Sequence, residues 1–177
     1  MTDWLTGLKN HGYFFDRLSE ELERSRRYAR PLAVIMADLD DFKAINDAFG
    51  HSSGDAALRT VGEIFHHQLR EVDVACRVGG EEFDVILPET GVDGAHRAAE
   101  RLRTAAESTT IPGVGSITIS LGVAVFPDHA DGRGLLVERA DQALYVAKHD
   151  GKNLTVMAGD GQVEDERRLA IRTDPLT

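Results

Sequence analysis

Apolar residues recur at helical spacing over residues 13–28, where Phe14, Phe15, Leu18 and Leu22 form one stripe before Pro31 stops the segment. Residues 32–37 (LAVIMA) are continuously apolar, which predicts a strand buried on both faces. Acid closes that strand at Asp38-Leu39-Asp40-Asp41. Residues 42–49 read as a short helix broken at Gly50. A second helix is expected from Ser52, where Ser52 and Asp55 have capping-box-like spacing, with Leu58, Val61, Ile64, Phe65 and Leu69 as its inner stripe. Strands follow over 72–78 and 83–87, joined by a Gly-Gly turn. A helix rich in Ala and Arg is expected over 92–108, an alternating strand over 116–126 and a helix over 135–149, with Gly151 as its C-terminal cap. Residues 153–157 suit a short edge strand. The chain divides into a domain over 1–157 and a polar, aperiodic tail over 158–177.

The order strand, helices, strand, hairpin, strand, helix, strand is the β-α-β-β-α-β pattern of a ferredoxin-like core. The expected class is α+β, with a mostly antiparallel central sheet flanked by helices, as in the palm of nucleotide cyclases. A right-handed crossover makes the first two strands parallel, and the hairpin then lays the third strand antiparallel to the first. Glu82, at the start of the third strand, should therefore lie beside Asp38 at the end of the first. Such an arrangement can hold two divalent cations for in-line phosphoryl chemistry.

At 177 residues the chain is sized for one core, and 42% hydrophobic with 28% charged residues suits a globular, water-facing domain. The net charge of −10 argues against broad binding to nucleic acid or to an anionic membrane surface. The single cysteine, Cys76, has apolar strand neighbours and reads as a buried structural thiol. No stretch reaches transmembrane length and no signal peptide is evident, so a reducing, cytoplasmic setting is expected.

The run Arg77-Val78-Gly79-Gly80-Glu81-Glu82-Phe83 is chemically the most distinctive. Its glycines permit positive φ and a tight hairpin turn, and the turn carries two adjacent carboxylates. Like charges side by side repel, so a cationic partner is expected near them, and a divalent metal with a polyphosphate fits. A solvated acidic turn is the plain alternative.

These residues resemble the GGDEF family of diguanylate cyclases in its GGEEF variant. The resemblance runs from about residue 3 to 153 through several motifs in order. They are Asp3-Trp4-Leu5-Thr6-Gly7-Leu8-Lys9-Asn10, then Asp38-Leu39-Asp40-Asp41-Phe42-Lys43 with Asn46-Asp47, and Gly50-His51-Ser52-Ser53-Gly54-Asp55. After the signature loop come Ser120-Leu121-Gly122, Ala140-Asp141-Gln142-Ala143-Leu144-Tyr145, Ala147-Lys148 and Gly151-Lys152-Asn153.

The resemblance implies that Asp38, Glu82 and the Leu39 carbonyl hold Mg²⁺ or Mn²⁺, hard ions suited to oxygen ligands and phosphates. It implies that Glu81 lies near the ribose 3′-hydroxyl and that Asn46 and Asp55 hydrogen-bond guanine. Lys43 and Lys148 would hold the terminal phosphates as point charges, with Phe42, Lys152, Gly79 and Gly80 completing the substrate site. Each residue also has an ordinary reading. Asp38 is placed to cap a helix, Asn46 to end one, Asp55 to sit in a first turn, and Lys148 to offset a helix dipole.

Arg70-Glu71-Val72-Asp73 matches the family's Arg-x-x-Asp inhibitory site for the cyclic dinucleotide product, and Arg101 matches a secondary contact from a neighbouring domain. A surface ion pair of small energetic worth is the alternative. The chain departs from the usual family pattern at Trp4, His11, Asp41, Val78, Asp84 and Lys152. Asp84 is expected either exposed at the strand start or paired with a basic group, because an unpaired buried carboxylate is costly.

The expected function is condensation of two GTP into cyclic di-GMP and two pyrophosphates. It requires two half-sites and hence a homodimer, served by an N-terminal sensor or dimerising segment in a longer protein. The alternative is a weak or silent module that binds cyclic di-GMP or GTP.

Overall fold

The computed structural model describes residues 1–160. A short strand β1 (Lys9–Asn10) leads into α1 (His11–Tyr28), which begins two residues earlier than its stripe suggests because the Asn10 side chain accepts from the Tyr13 N–H. The buried strand β2 (Leu32–Leu39) runs into α2 (Phe42–Phe49) and α3 (His51–Gln68). The expected Ser52–Asp55 box does not form. Gly50, at φ +88°, sits at the N-terminus of α3 with no side-chain cap.

Strand β3 (Val74–Arg77) is shorter than expected, since residues 70–73 form a turn in which the Asp73 N–H bonds the Arg70 carbonyl. It pairs with β4 (Glu82–Pro88), and α4 (Val92–Glu107) follows. The strand expected over 116–126 is divided. Its first residue, Ser116, belongs to a small hairpin of β5 (Thr110–Ile111) and β6 (Gly115–Ser116), and β7 (Ile119–Phe126) enters the main sheet. The chain closes with α5 (Arg133–His149) and the edge strand β8 (Thr155–Met157). Helix α5 ends at Asp150, and Gly151 follows at φ +128°. Ala158, expected to open the tail, is buried, and its N–H donates to the Val123 carbonyl.

The main sheet has the order β1-β3-β4-β2-β7-β8. Its four inner strands are antiparallel neighbours, and both outer pairs are parallel. All residues of β2 and β7 are buried because helices cover both faces. Odd-numbered β2 residues (Ala33, Ile35, Ala37) join Phe83, Phe65 and Leu102 under α3 and α4. Even-numbered ones (Val34, Met36) join Cys76, Ile86, Phe14 and Leu136 under α1 and α5. Period-two alternation thus assigns Asp38 to the α1/α5 face.

Candidate active site

The end of β2 carries the chemistry. Asp38 and Glu82 are direct partners across the β2–β4 ladder, and the Leu39 N–H donates to the Glu81 carbonyl at 3.1 Å. The sequence expectation for this sheet end therefore holds. Asp38 is buried, 6% exposed, whereas Glu82 is open to solvent. Lys148, near the end of α5, places Nζ 2.6 Å from Asp38 Oδ2. Burial pushes the Asp38 carboxyl up to about 6; Lys148 pulls it down, and the charges of Glu81 and Glu82 raise it further.

The signature loop departs from one expectation. Neither Gly79 nor Gly80 adopts positive φ. Gly79 packs closely instead: a Cβ there would lie 2.5 Å from Glu82 Oε2, the far end of an exposed side chain that would have to swing aside. Gly80 faces open space, and its carbonyl accepts from Arg77 Nε and Nη2 at 3.0 and 2.8 Å. The same guanidinium pairs with Asp3, whose carboxylate also binds the N–H and hydroxyl of Thr6. Arg77 thus ties the loop to the N-terminal turn, a role that the sequence alone does not reveal.

Beyond Asp41, α2 presents Phe42 half-buried against the core and Lys43 fully in solvent, loosely paired with Asp47 at 3.8 Å. Asn46 Oδ1 is buried with no hydrogen-bond partner among the described residues. It faces Gly54 of α3, where a Cβ would lie only 1.9 Å away. Asp55 follows Gly54 and is half-buried. A buried acceptor without a donor beside a second acceptor-bearing side chain suits a ligand with N–H groups.

Asp40 is a further residue that the motif reading left without a role. It is buried and accepts from Thr118 Oγ1 at 2.8 Å, Ser120 Oγ at 2.7 Å and the Asn153 N–H at 3.0 Å. It therefore fastens the loop after α5, where Lys152 and Asn153 both have positive φ. Lys152 in turn pairs with Asp41. Two departures from the family pattern are thus partners in space.

Asp84 meets neither of its two expectations. It is 8% exposed, opposite Met36 and Cys76 in the ladder, and no basic group or hydrogen bond reaches it among the described residues. Burial pushes its carboxyl up to about 8, and the charges of Asp141 and Glu82 add to the shift. Cys76 beside it is buried, and its thiol is pushed up to about 12, chiefly by burial, as expected for a structural thiol.

The donor set fits a hard divalent ion: two carboxylates on one rung and a strand-end carbonyl at Leu39. Among the described residues no three His, Cys, Asp or Glu side chains gather into a metal cluster. The two carboxylates and the carbonyl leave part of an ion's shell to waters and to substrate phosphate oxygens.

The Arg-x-x-Asp turn lies at the other end of the sheet. Arg70 donates to Asp73 through Nε and Nη2, and Nη2 also reaches the Pro88 carbonyl and Thr90 Oγ1. The Asp73 side chain is 1% exposed. Pro88 and Glu82 are the two ends of β4, so roughly 20 Å of strand separates this turn from the carboxylates. Cavities of about 450 and 540 Å³ open on either side of Arg70. Arg101 lies nearby and donates to the Gln68 carbonyl at 3.4 Å.

Comparison with known proteins agrees with this fold. The family model described as the diguanylate cyclase GGDEF domain matches residues 1–154. The chain is 38% identical over 161 residues to the response regulator PleD of Caulobacter vibrioides, covering 88% of this chain and 36% of that protein. It is 40% identical over 156 residues to the diguanylate cyclase DgcP of Pseudomonas aeruginosa, covering 86% of this chain and 23% of that one. The chain thus spans well under half of these curated relatives. Among solved structures, the GGDEF domain of TpbB (YfiN) from Pseudomonas aeruginosa superposes with a TM-score of 0.86 at 33% identity, covering 96% of this chain and 99% of that one. The GGDEF domain of DgcB from Caulobacter crescentus, solved with c-di-GMP, superposes at 0.84 and 31% identity, covering 89% and 95%. Fold, motif order and the pairing of Asp38 with Glu82 lead to one assignment: this chain belongs to the diguanylate cyclase GGDEF domain family.

Proposed function

We propose that this domain condenses two GTP molecules into cyclic di-GMP with release of two pyrophosphates. The observation that carries the reading is the Asp38–Glu82 rung with Lys148 against it, at an open sheet end. Asp38, Glu82 and the Leu39 carbonyl would hold Mg²⁺ or Mn²⁺, which when bound neutralises phosphate charge and lowers the pKa of the attacking hydroxyl. Asn46 and Asp55 accept from the guanine N1–H and exocyclic amine, donors that adenine does not present together. Lys43, Lys148 and Lys152 oppose the phosphates, while Gly79 and Gly80 keep the loop free of side chains where substrate passes. Glu81, next in sequence to the rung, would accept the 3′-hydroxyl proton. Positioning and charge neutralisation then carry most of the rate.

Each domain holds one nucleotide, so the active species is a two-fold homodimer working in the cytoplasm under an N-terminal sensor or dimerising segment. Among the described residues no helix is long and apolar enough to cross a membrane. Product inhibition at Arg70, Asp73 and Arg101 is part of the proposal. The cavities flanking Arg70 and the nearby Arg101 support it.

The test is incubation of the purified domain with GTP and Mg²⁺ or Mn²⁺, with chromatography for cyclic di-GMP and Glu82→Ala as control. Product lost in the control supports the cyclase. Asp84, an uncompensated carboxylate behind Glu82, favours the alternative of a silent module that binds GTP or cyclic di-GMP. That alternative predicts no product but saturable binding of cyclic di-GMP, abolished by Arg70→Ala.

A further inference from the structure

Lys148 Nζ lies 2.6 Å from Asp38 Oδ2, a full charge-assisted contact with one of the two carboxylates assigned to the metal. An ammonium held on Oδ2 and a divalent ion on either oxygen of the same carboxylate repel each other, so each weakens the hold of the other. Asp38 is 6% exposed, so its oxygens have few alternative partners. Among the described residues no third His, Cys, Asp or Glu side chain joins these two carboxylates, so water or phosphate oxygens would complete the shell of an ion. Lys152 makes an outwardly similar pair with Asp41, but that pair is largely exposed, with side chains 43% and 62% accessible, and Asp41 is no metal ligand in this reading.

From these contacts, and resting on the cyclase site described above, we propose that Lys148 competes with the divalent ion for Asp38, so that metal binding and nucleotide binding are coupled through this one lysine. A triphosphate supplies two things at once. It gives Lys148 another anion, releasing Asp38, and it gives the ion the oxygens that the protein lacks. Metal alone must displace the lysine without compensation. Metal with nucleotide exchanges one ion pair for two, Lys148 to phosphate and Asp38 to metal. Lysine suits this exchange, since its ammonium is a point charge on a flexible stem that can turn from one anion to another.

The first arm measures Mn²⁺ binding to the nucleotide-free domain by the electron paramagnetic resonance signal of free Mn²⁺. Lys148→Met is expected to tighten Mn²⁺ by roughly tenfold, the worth of a charge-assisted contact removed from a ligand. Lys152→Met removes the same charge nearby and is expected to change it less than about twofold, as an exposed pair should. The second arm measures affinity for a non-hydrolysable GTP analogue with and without Mg²⁺. Chelation of the ion by the triphosphate is common to all variants and cancels between them. The gain in affinity from Mg²⁺ is expected to be smaller in Lys148→Met than in the parent.

Equal tightening by both lysine variants would mean a general field effect and would overturn the proposal. So would unchanged nucleotide-free Mn²⁺ affinity in Lys148→Met, or an undiminished Mg²⁺ gain. If the parent binds metal and nucleotide but independently, only the coupling fails. If it binds neither, the cyclase reading fails with it.

Discussion

Gly54 has no room for a side chain, since its Cβ would meet the Asn46 amide oxygen at 1.9 Å and Phe42 at 3.2 Å. The atom struck first is the end of a side chain that can swing away. Gly54→Ala is therefore expected to leave the fold standing, at a cost of about 1 kcal/mol, while displacing Asn46 from the position in which it is proposed to meet guanine. The KM for GTP should rise about tenfold, the worth of one lost hydrogen bond to a buried acceptor, with kcat less affected. Steady-state kinetics alongside thermal melting separates the two effects.

Asp84 makes a second prediction at this scale. Its carboxyl, pushed up to about 8, keeps a proton in the folded state that the unfolded chain releases near 3.8. The folded state then binds more protons between those values. The stability tied to this group is complete below about pH 4 and is lost as pH rises through about 8. Glu82 on its own strand and Asp141 on α5 drive the shift in the same direction, and across the ladder Cys76 and Met36 bring no cation. Asp84→Asn should raise the melting temperature, and by more at pH 8 than at pH 5. A pH-independent shift would contradict this account. Neither residue was fully legible in the sequence. Gly54 stood inside a motif without a stated reason, and Asp84 was expected to find water or a cation, because no local pattern shows what α5 sets against a strand.

At the scale of elements, Gly122 decides where α5 sits. A Cβ there would lie 2.1 Å from the Ala140 carbonyl and 2.2 Å from the Leu144 N–H. These are backbone atoms with no rotamer to relieve the clash, so Gly122→Ala must push the helix off β7. The expected cost is ~3 kcal/mol or more, seen in chemical denaturation, with Lys148 carried away from Asp38. Arg77 joins elements in another way, holding the Gly80 carbonyl and Asp3 together. Arg77→Ala should cost about 1–2 kcal/mol in stability and lower kcat more than it raises KM, because the loop that carries Glu82 loses its outer support. Arg77→Lys should restore the pairing with Asp3 but not the two-nitrogen grip on Gly80. The helices were legible from their stripes, and β2 from its continuous apolar run. The ends were less so: Asn10 rather than the first apolar residue set the start of α1, and Ser116, expected to begin the long strand, went to the β5–β6 hairpin.

At the scale of the molecule, the proposed condensation of two GTP requires two copies of the domain to meet, because one domain presents one set of nucleotide-directed groups. Specific activity of the purified domain should rise with its own concentration and level off once dimers dominate, and sedimentation should show the same midpoint. Activity per domain that is constant down to nanomolar concentration would exclude that requirement. The Arg70 turn and the carboxylate end stand roughly 20 Å apart along β4, so any feedback must act through the sheet or through the pairing of domains rather than by direct competition. The amino-acid sequence by itself determined the α+β class, the two buried faces of β2 and the convergence of Asp38 with Glu82. Hydrophobic period and the handedness of crossover connections are local rules that leave few topologies. Only the tertiary structure decided which lysine meets which acid, that Asp41 and Lys152 are partners 111 positions apart, and that Asp84 lies buried with no cation among the described residues. Those outcomes depend on how closely α5 docks on β7 at Gly122 and on how Asp40 fastens the loop beyond it, distances set by packing between distant segments and by no pattern within either one.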